Sequence, residues 1–116
     1  MSARRRLLAP ALMGAALLTG CVTAPATLYH WGSYETEVYR HFKGESPESQ
    51  VERLEAQLQV TVSRGQTPPP GLYGTLGMLY AKLGRTDQSI ASLEREKTLF
   101  PESAPYIDRL LARAGK

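Results

Sequence analysis

Few side chains in this 116-residue sequence could do covalent or metal chemistry. There is one cysteine, Cys21, which follows Leu18-Thr19-Gly20, and there are two histidines, His30 and His41. A single cysteine excludes an internal disulfide and any multi-cysteine metal centre. Zinc needs three or four ligands at defined spacing, and two histidines eleven residues apart do not supply them. The acid pairs Glu52/Glu55 and Glu94/Glu96 lie within helical patterns and read as solvated faces. Paired catalytic carboxylates need a cleft and shifted pKa values, which nothing here suggests. No phosphate-binding glycine loop, dinucleotide fingerprint or nucleophile elbow occurs. The expectation is therefore a protein that is not an enzyme, with no catalytic residue, no metal ligand and no cofactor beyond whatever Cys21 carries.

The surroundings of Cys21 explain that residue. Arg4, Arg5 and Arg6 form a positive leader, and Leu7 to Leu18 is an apolar run too short to span a bilayer as a helix. With Leu18-Thr19-Gly20-Cys21 after it, the segment resembles a bacterial lipoprotein signal ending in a lipobox. That resemblance implies a diacylglycerol on the Cys21 sulfur, cleavage between Gly20 and Cys21, and acylation of the new amine. The run Arg4-Arg5-Arg6-Leu7-Leu8 also loosely resembles a twin-arginine signal, but nothing in the chain requires a cofactor inserted before export.

Removing residues 1–20 changes the charge. The whole chain has 14 basic and 11 acidic residues and a formal charge of +3, but three of the arginines lie in the leader. The remaining 96 residues are balanced at 11 of each sign, so no nucleic-acid partner is expected. Two or three acyl chains hold a protein on a membrane where one is marginal. Val22 stands where lipoproteins retained in the inner membrane of enteric bacteria usually have Asp. In a Gram-negative host this points to the periplasmic face of the outer membrane rather than to the inner membrane. Residues 21–27 form the lipidated tether, about 20 Å at most at ~3.3 Å per residue.

The elements that position the rest are helices, and residues 28–116 read as a single all-α domain with no period-two alternation. Tyr34, Val38 and Phe42 recur on one face of a first helix, after a Trp31-Gly32 turn and before Lys43-Gly44-Glu45. Ser46 caps a second helix with Pro47 in its first turn. Its apolar stripe is Val51, Leu54, Leu58 and Thr61/Val62, and Glu48, Glu52, Arg53, Glu55 and Gln57 are assigned to the solvent face. Gly65 stops this helix, and Gln66 to Pro70 form a stiff connector. Tyr73, Leu76, Gly77, Tyr80 and Leu83 pattern a third helix, broken at Gly84-Arg85-Thr86, with Thr86 as the next cap. Ile90, Leu93, Leu99 and Phe100 pattern a fourth, ended by Pro101. Ser103 caps a last helix whose buried stripe is Ile107, Leu110, Leu111 and Ala114.

The spacing Tyr73-x2-Leu76-Gly77-x2-Tyr80, then Gly84, Ser89-x3-Leu93 and Pro101, resembles a tetratricopeptide repeat. The resemblance implies a helical hairpin with Gly77 and Ser89 at the close crossing. It also implies an open face on the first helix of the hairpin carrying Gly74, Met78, Ala81 and Lys82. Glu96 departs from the pattern, standing where a small residue is usual. One repeat makes a small core, so either the aromatic amino-terminal segment or a partner must complete it. Tyr29, Trp31, Tyr34 and Tyr39 are the candidate partner-binding residues, since Tyr and Trp give large contact area at low entropic cost. Packing onto the hairpin competes with that role, as does a position for Trp31 near lipid headgroups.

A second resemblance covers most of residues 21–114. It rests on Tyr29-His30-Trp31-Gly32-Ser33-Tyr34, Pro69-Pro70-Gly71, Leu76-Gly77-x2-Tyr80 and Glu96-Lys97-x-Leu99-Phe100-Pro101-Glu102-Ser103-Ala104. These are similar to a family of small bacterial lipoproteins in which tetratricopeptide-like helices follow a lipobox, often encoded beside a lipoprotein similar to the curli-secretion channel subunit. The resemblance implies a cell-envelope, secretion-related complex with envelope protein partners, and no reaction. The expectation is an anchored adaptor or assembly factor. The rival classes are a structural or ligand-binding envelope lipoprotein, such as a peptidoglycan-associated one, and an enzyme uniting His30 or His41 with carboxylates.

Overall fold

In a computed structural model the described residues are Gly20 and 27–114, and they are helical, with no strand among them. The leader 1–19, Cys21 and most of the tether lie outside the described residues, so the cleavage and lipidation sites have no structural account here. Five helices follow one another: α1 (Tyr34–Phe42), α2 (Pro47–Ser63), α3 (Leu72–Lys82), α4 (Thr86–Leu99) and α5 (Ala104–Ala114). None of the described helices is long and apolar enough to cross a membrane.

The boundaries follow local chemistry. Ser46 Oγ accepts from the Ser49 amide at 3.3 Å at the start of α2, with Pro47 in the first turn. This is the N-cap arrangement that relieves an orphan N–H. Helix α4 begins at Thr86, and the cap position belongs to Arg85 rather than Thr86. Pro101–Ser103 form a 3-10 turn before α5 starts at Ala104, with Ser103 Oγ donating to the Phe100 carbonyl at 2.7 Å. Ser103 therefore closes the turn instead of capping α5.

Successive helices pack in antiparallel pairs. On the first pair, His30 meets Thr61, Ser33 meets Gln57 and Glu37 meets Arg53, so the numbering rises on one side as it falls on the other. On α3 and α4, Gly77 faces Ser89 while Gly71 and Gly74 face Glu96. The core is Val51, Leu54, Leu72, Leu76, Leu79 and Tyr80, with Tyr34, Leu58 and Leu83 packed on it. Leu93, Phe100 and Ile107 are buried towards the far end. Of the stripe expected on α5, only Ile107 is buried, and Leu110, Leu111 and Ala114 are half-buried because nothing stacks beyond α5 among the described residues.

The close approach expected at Gly77 is found. A Cβ there would lie 2.7 Å from Leu93 Cγ and 3.2 Å from the Ser89 carbonyl oxygen, and Ser89 Oγ donates to the Gly77 carbonyl at 2.7 Å. Gly71 serves differently. It sits at φ 95°, a left-handed conformation that a side chain disfavours, and a Cβ would fall 2.7 Å from the Tyr34 hydroxyl.

Candidate docking surface

The amino-terminal segment is pinned by buried polar side chains from α2. Gln57 Nε2 donates to the Trp31 carbonyl at 2.6 Å, and its Oε1 accepts from the Ser33 amide and hydroxyl at 3.1 and 2.9 Å. Thr61 Oγ1 donates to the Gln57 carbonyl at 2.8 Å, which leaves it to accept from His30 Nδ1 at 2.6 Å. Gln50 Nε2 donates to the Glu37 carbonyl at 3.1 Å, so its Oε1 accepts from His41 Nδ1 at the same distance. Both histidines are thus held as donors in structural hydrogen bonds, and they belong to different parts of the seam. Among the described residues no group of three or more His, Cys, Asp or Glu is placed to hold a metal ion.

Glu37 is the charged centre of this seam. Only 2% of it is exposed, and it accepts from Arg53 Nε at 2.9 and 3.0 Å and from Arg40 Nη1 at 3.0 Å. Arg53 also pairs with Glu45 at 2.6 Å. The hydrogen bond that Arg53 donates to Glu37, ahead of the one to Glu45, raises the Arg53 pKa still further, so this guanidinium stays charged. The assignment of Arg53 and Gln57 to a solvated face is therefore corrected: Gln57 is buried and Arg53 is half-buried. A polar side chain can face inward on a helix when the neighbouring element offers backbone groups and a counter-charge.

The second acid pair divides as well. Glu94 is exposed, but Glu96 is buried against α3, accepting from the Gly71 amide at 2.6 Å and the Gly74 amide at 3.1 Å. Glu52 and Glu55 are both exposed, and Glu55 accepts a hydrogen bond from the Tyr80 hydroxyl. Burial first, then Glu55, push the Tyr80 hydroxyl up to about 12.

The four candidate aromatics are dispersed. Tyr34 joins the core edge and hydrogen-bonds Thr75 at 3.1 Å, and burial is the main cause that raises its pKa. Tyr29 packs edge-on against Phe100, with ring centres 5.7 Å apart, closing the amino-terminal segment over the end of α4. Trp31 stacks beside Tyr34 with 38% of its surface exposed, and Tyr39 is 61% exposed.

What the fold brings together instead is an apolar face on α1, α3 and α5. Between α1 and α3 runs a groove of about 300 Å³ lined by Tyr34, Val38, His41, Phe42, Met78, Leu79 and Lys82. A second, of about 180 Å³, lies between α3 and α5 and is lined by Met78, Ala81, Leu93, Leu110 and Arg113. Met78 is the ridge shared by both, and Tyr106 reaches it with its hydroxyl 3.8 Å from Sδ. Met78, Ala81 and Lys82 thus occupy the open face, whereas Gly74 is buried beneath Glu96 and Ile107. The lining carries Lys82, His41 and Arg113 at one end, and it carries no carboxylate. Sequence periodicity missed Val38, Phe42 and Leu110 as groove residues because an apolar stripe does not reveal whether a neighbour covers it.

The family model described as a domain of unknown function (DUF4810) matches residues 28–110. The chain belongs to the DUF4810 family. The DUF4810 match runs from the aromatic segment through most of α5, so it takes in the pinned amino terminus and the α1–α3 groove, while Arg113 at the end of the α3–α5 groove lies beyond it. No curated protein and no solved structure matches the chain.

Proposed function

We propose that this protein is a lipid-anchored envelope lipoprotein acting without catalysis, as an adaptor or assembly factor. The observation that carries the reading is the pair of apolar grooves flanking Met78 and ending at Lys82 and Arg113. Exposed apolar area on a small domain is characteristic of a partner site. The lipobox-like run before Cys21 supports anchoring, most simply on the periplasmic face of the outer membrane, where confinement raises the effective concentration for membrane partners. The tetratricopeptide-like spacing supports reading α3 and α4 as one repeat, with α1 and α2 before it and α5 after it.

A photo-crosslinking residue at Met78 tests this in cells. The expected product joins the protein to an envelope protein, with the curli-channel-like lipoprotein as the first candidate. The same residue placed at Arg95, on the exposed side of α4, should give none. Equal products from both positions, or monomer alone from Met78, would overturn the reading.

A further inference from the structure

The large apolar side chains left exposed are not evenly spread. Eight are exposed among the described residues, and four of them, Leu28, Trp31, Tyr39 and Phe42, lie between residues 28 and 42. Phe42 and Tyr39 are three residues apart, which makes them neighbours on the outward side of α1. They are 81% and 61% exposed. Lys43 follows, with its ammonium 5.3 Å from the Tyr39 ring centre. The same helix buries Glu37 on its opposite side, and Arg40 is bound there to Glu37 and Glu45. The outward face is thus two aromatics and one lysine, with Glu35 one turn nearer the amino terminus.

This is also the part of the domain tied most closely to Cys21. Thr27 lies six positions after Cys21, about 20 Å when fully extended, and a helix is about 10 Å across. Tyr29 and His30 are already fixed to the domain through Phe100 and Thr67. A lipid on Cys21 therefore keeps Leu28 within about two helix diameters of the headgroups. Helix α1, nine residues or about 13 Å long, carries Tyr39 and Phe42 along the surface from there when it lies flat. Tyr and Trp carry an apolar body and a polar tip suited to that layer, and lysine extends its ammonium towards phosphate.

Resting on the anchoring reading above, we infer that the Trp31–Lys43 segment contacts the lipid surface. Phe42 and Tyr39 insert among the headgroups and Lys43 faces lipid phosphates, which orients the domain on the membrane. The α3–α5 groove beside Met78, which Phe42 does not line, is then presented at a fixed height for a partner in the same leaflet.

Trp31 is the only tryptophan in the chain, so its fluorescence reports the contact directly. The protein purified from membranes is reconstituted into phosphatidylethanolamine–phosphatidylglycerol vesicles with plain or brominated acyl chains. The expected results are a blue shift of Trp31 emission and marked quenching by the brominated lipid. The double substitution Tyr39→Ser with Phe42→Ser, whose helical circular dichroism should be unchanged, should lose most of that quenching. Equal emission in the two vesicles, quenching untouched by the double substitution, or a blue shift that depends on protein concentration instead of lipid would each overturn the inference. Intact mass separates this outcome from failure of the anchor. If Cys21 carries no acyl chain, the anchoring reading fails, and the same fluorescence is read on chain coupled through Cys21, its sole cysteine, to a maleimide lipid.

Discussion

Glu96 on α4 holds the first turn of α3 through Gly71: its Oε1 accepts the Gly71 amide at 2.6 Å, and Oε2 accepts Gly74 at 3.1 Å. Helix α3 starts with a left-handed glycine that offers no side-chain cap. The first amides of a helix have no partner within it and sit at its positive end. A carboxylate supplied from the neighbouring helix satisfies both conditions. The glutamate standing where a repeat pattern wants a small residue is therefore the substitute for a missing local cap.

Glu96→Ala leaves the buried Gly74 amide and the half-buried Gly71 amide without acceptors and opens a gap beside Ile107. The expected loss is about 2–3 kcal/mol, read as a lowered midpoint in urea unfolding. Glu96→Gln keeps one acceptor oxygen and should lose roughly half as much. An alanine variant as stable as the parent would show that water replaces the carboxylate.

Gly77→Ala tests the crossing of α3 and α4. The added Cβ would lie 2.7 and 2.8 Å from Leu93 carbons and 3.2 Å from the Ser89 backbone oxygen. The leucine tip can move, but the backbone oxygen yields less. Overpacking of this kind costs about 1–3 kcal/mol, against a gain of under about 1 kcal/mol from alanine's helix propensity. Thermal unfolding should show net destabilisation. Gly84→Ala is a contrasting case. Open space surrounds it, but its φ of 71° makes any loss conformational in origin, not steric.

Tyr80 gives the fold an alkaline limit. Its hydroxyl is pushed up to about 12 by burial and by Glu55, above the ordinary value of 10.0. A group whose pKa is raised on folding contributes stability that is complete below the unfolded value and lost as pH climbs through the folded one. The loss thus falls between pH 10 and about 12. Tyr34, raised mainly by burial, acts in the same direction. Urea midpoints should fall across that window in the parent. In Tyr80→Phe the fall should be shallower, from a lower starting stability because Glu55 loses its donor.

The helices were legible because they rest on local signals: Ser46-Pro47 opens α2, glycines stand at the turns, and apolar residues recur at helical spacing. The Gly77–Ser89 contact was legible for the same reason, being a small-residue pair at fixed offsets. Glu37, Gln50, Gln57 and Glu96 were not legible as buried. Each satisfies a partner distant in sequence, and a helical pattern reads any charged or amide side chain as solvent-facing. Thr61 was chosen over its neighbour only once His30 and the Gln57 carbonyl were in place, leaving Val62 59% exposed. The grooves depend on which apolar stripes find cover, a tertiary property. Trp31 and Tyr39 remained outside the core while Tyr34 entered it, a division that periodicity alone does not make.

Cys21→Ala tests the anchor on which the membrane reading depends. Cys21 is the only sulfhydryl in the chain, so its removal leaves no alternative site for thioether lipidation. In cells fed a labelled fatty acid, the parent should carry label and sediment with membranes, and the variant should carry none. The variant keeps the Leu7–Leu18 run, and if signal cleavage depends on prior lipidation it will retain that leader and sediment for a second reason. Label incorporation is therefore the deciding measurement. Gel mobility then distinguishes an uncleaved precursor from a released chain. Continued labelling of the variant would end the anchoring proposal. Loss of label with unchanged helical circular dichroism would show that the lipid confers location and that the fold of residues 27–114 stands without it.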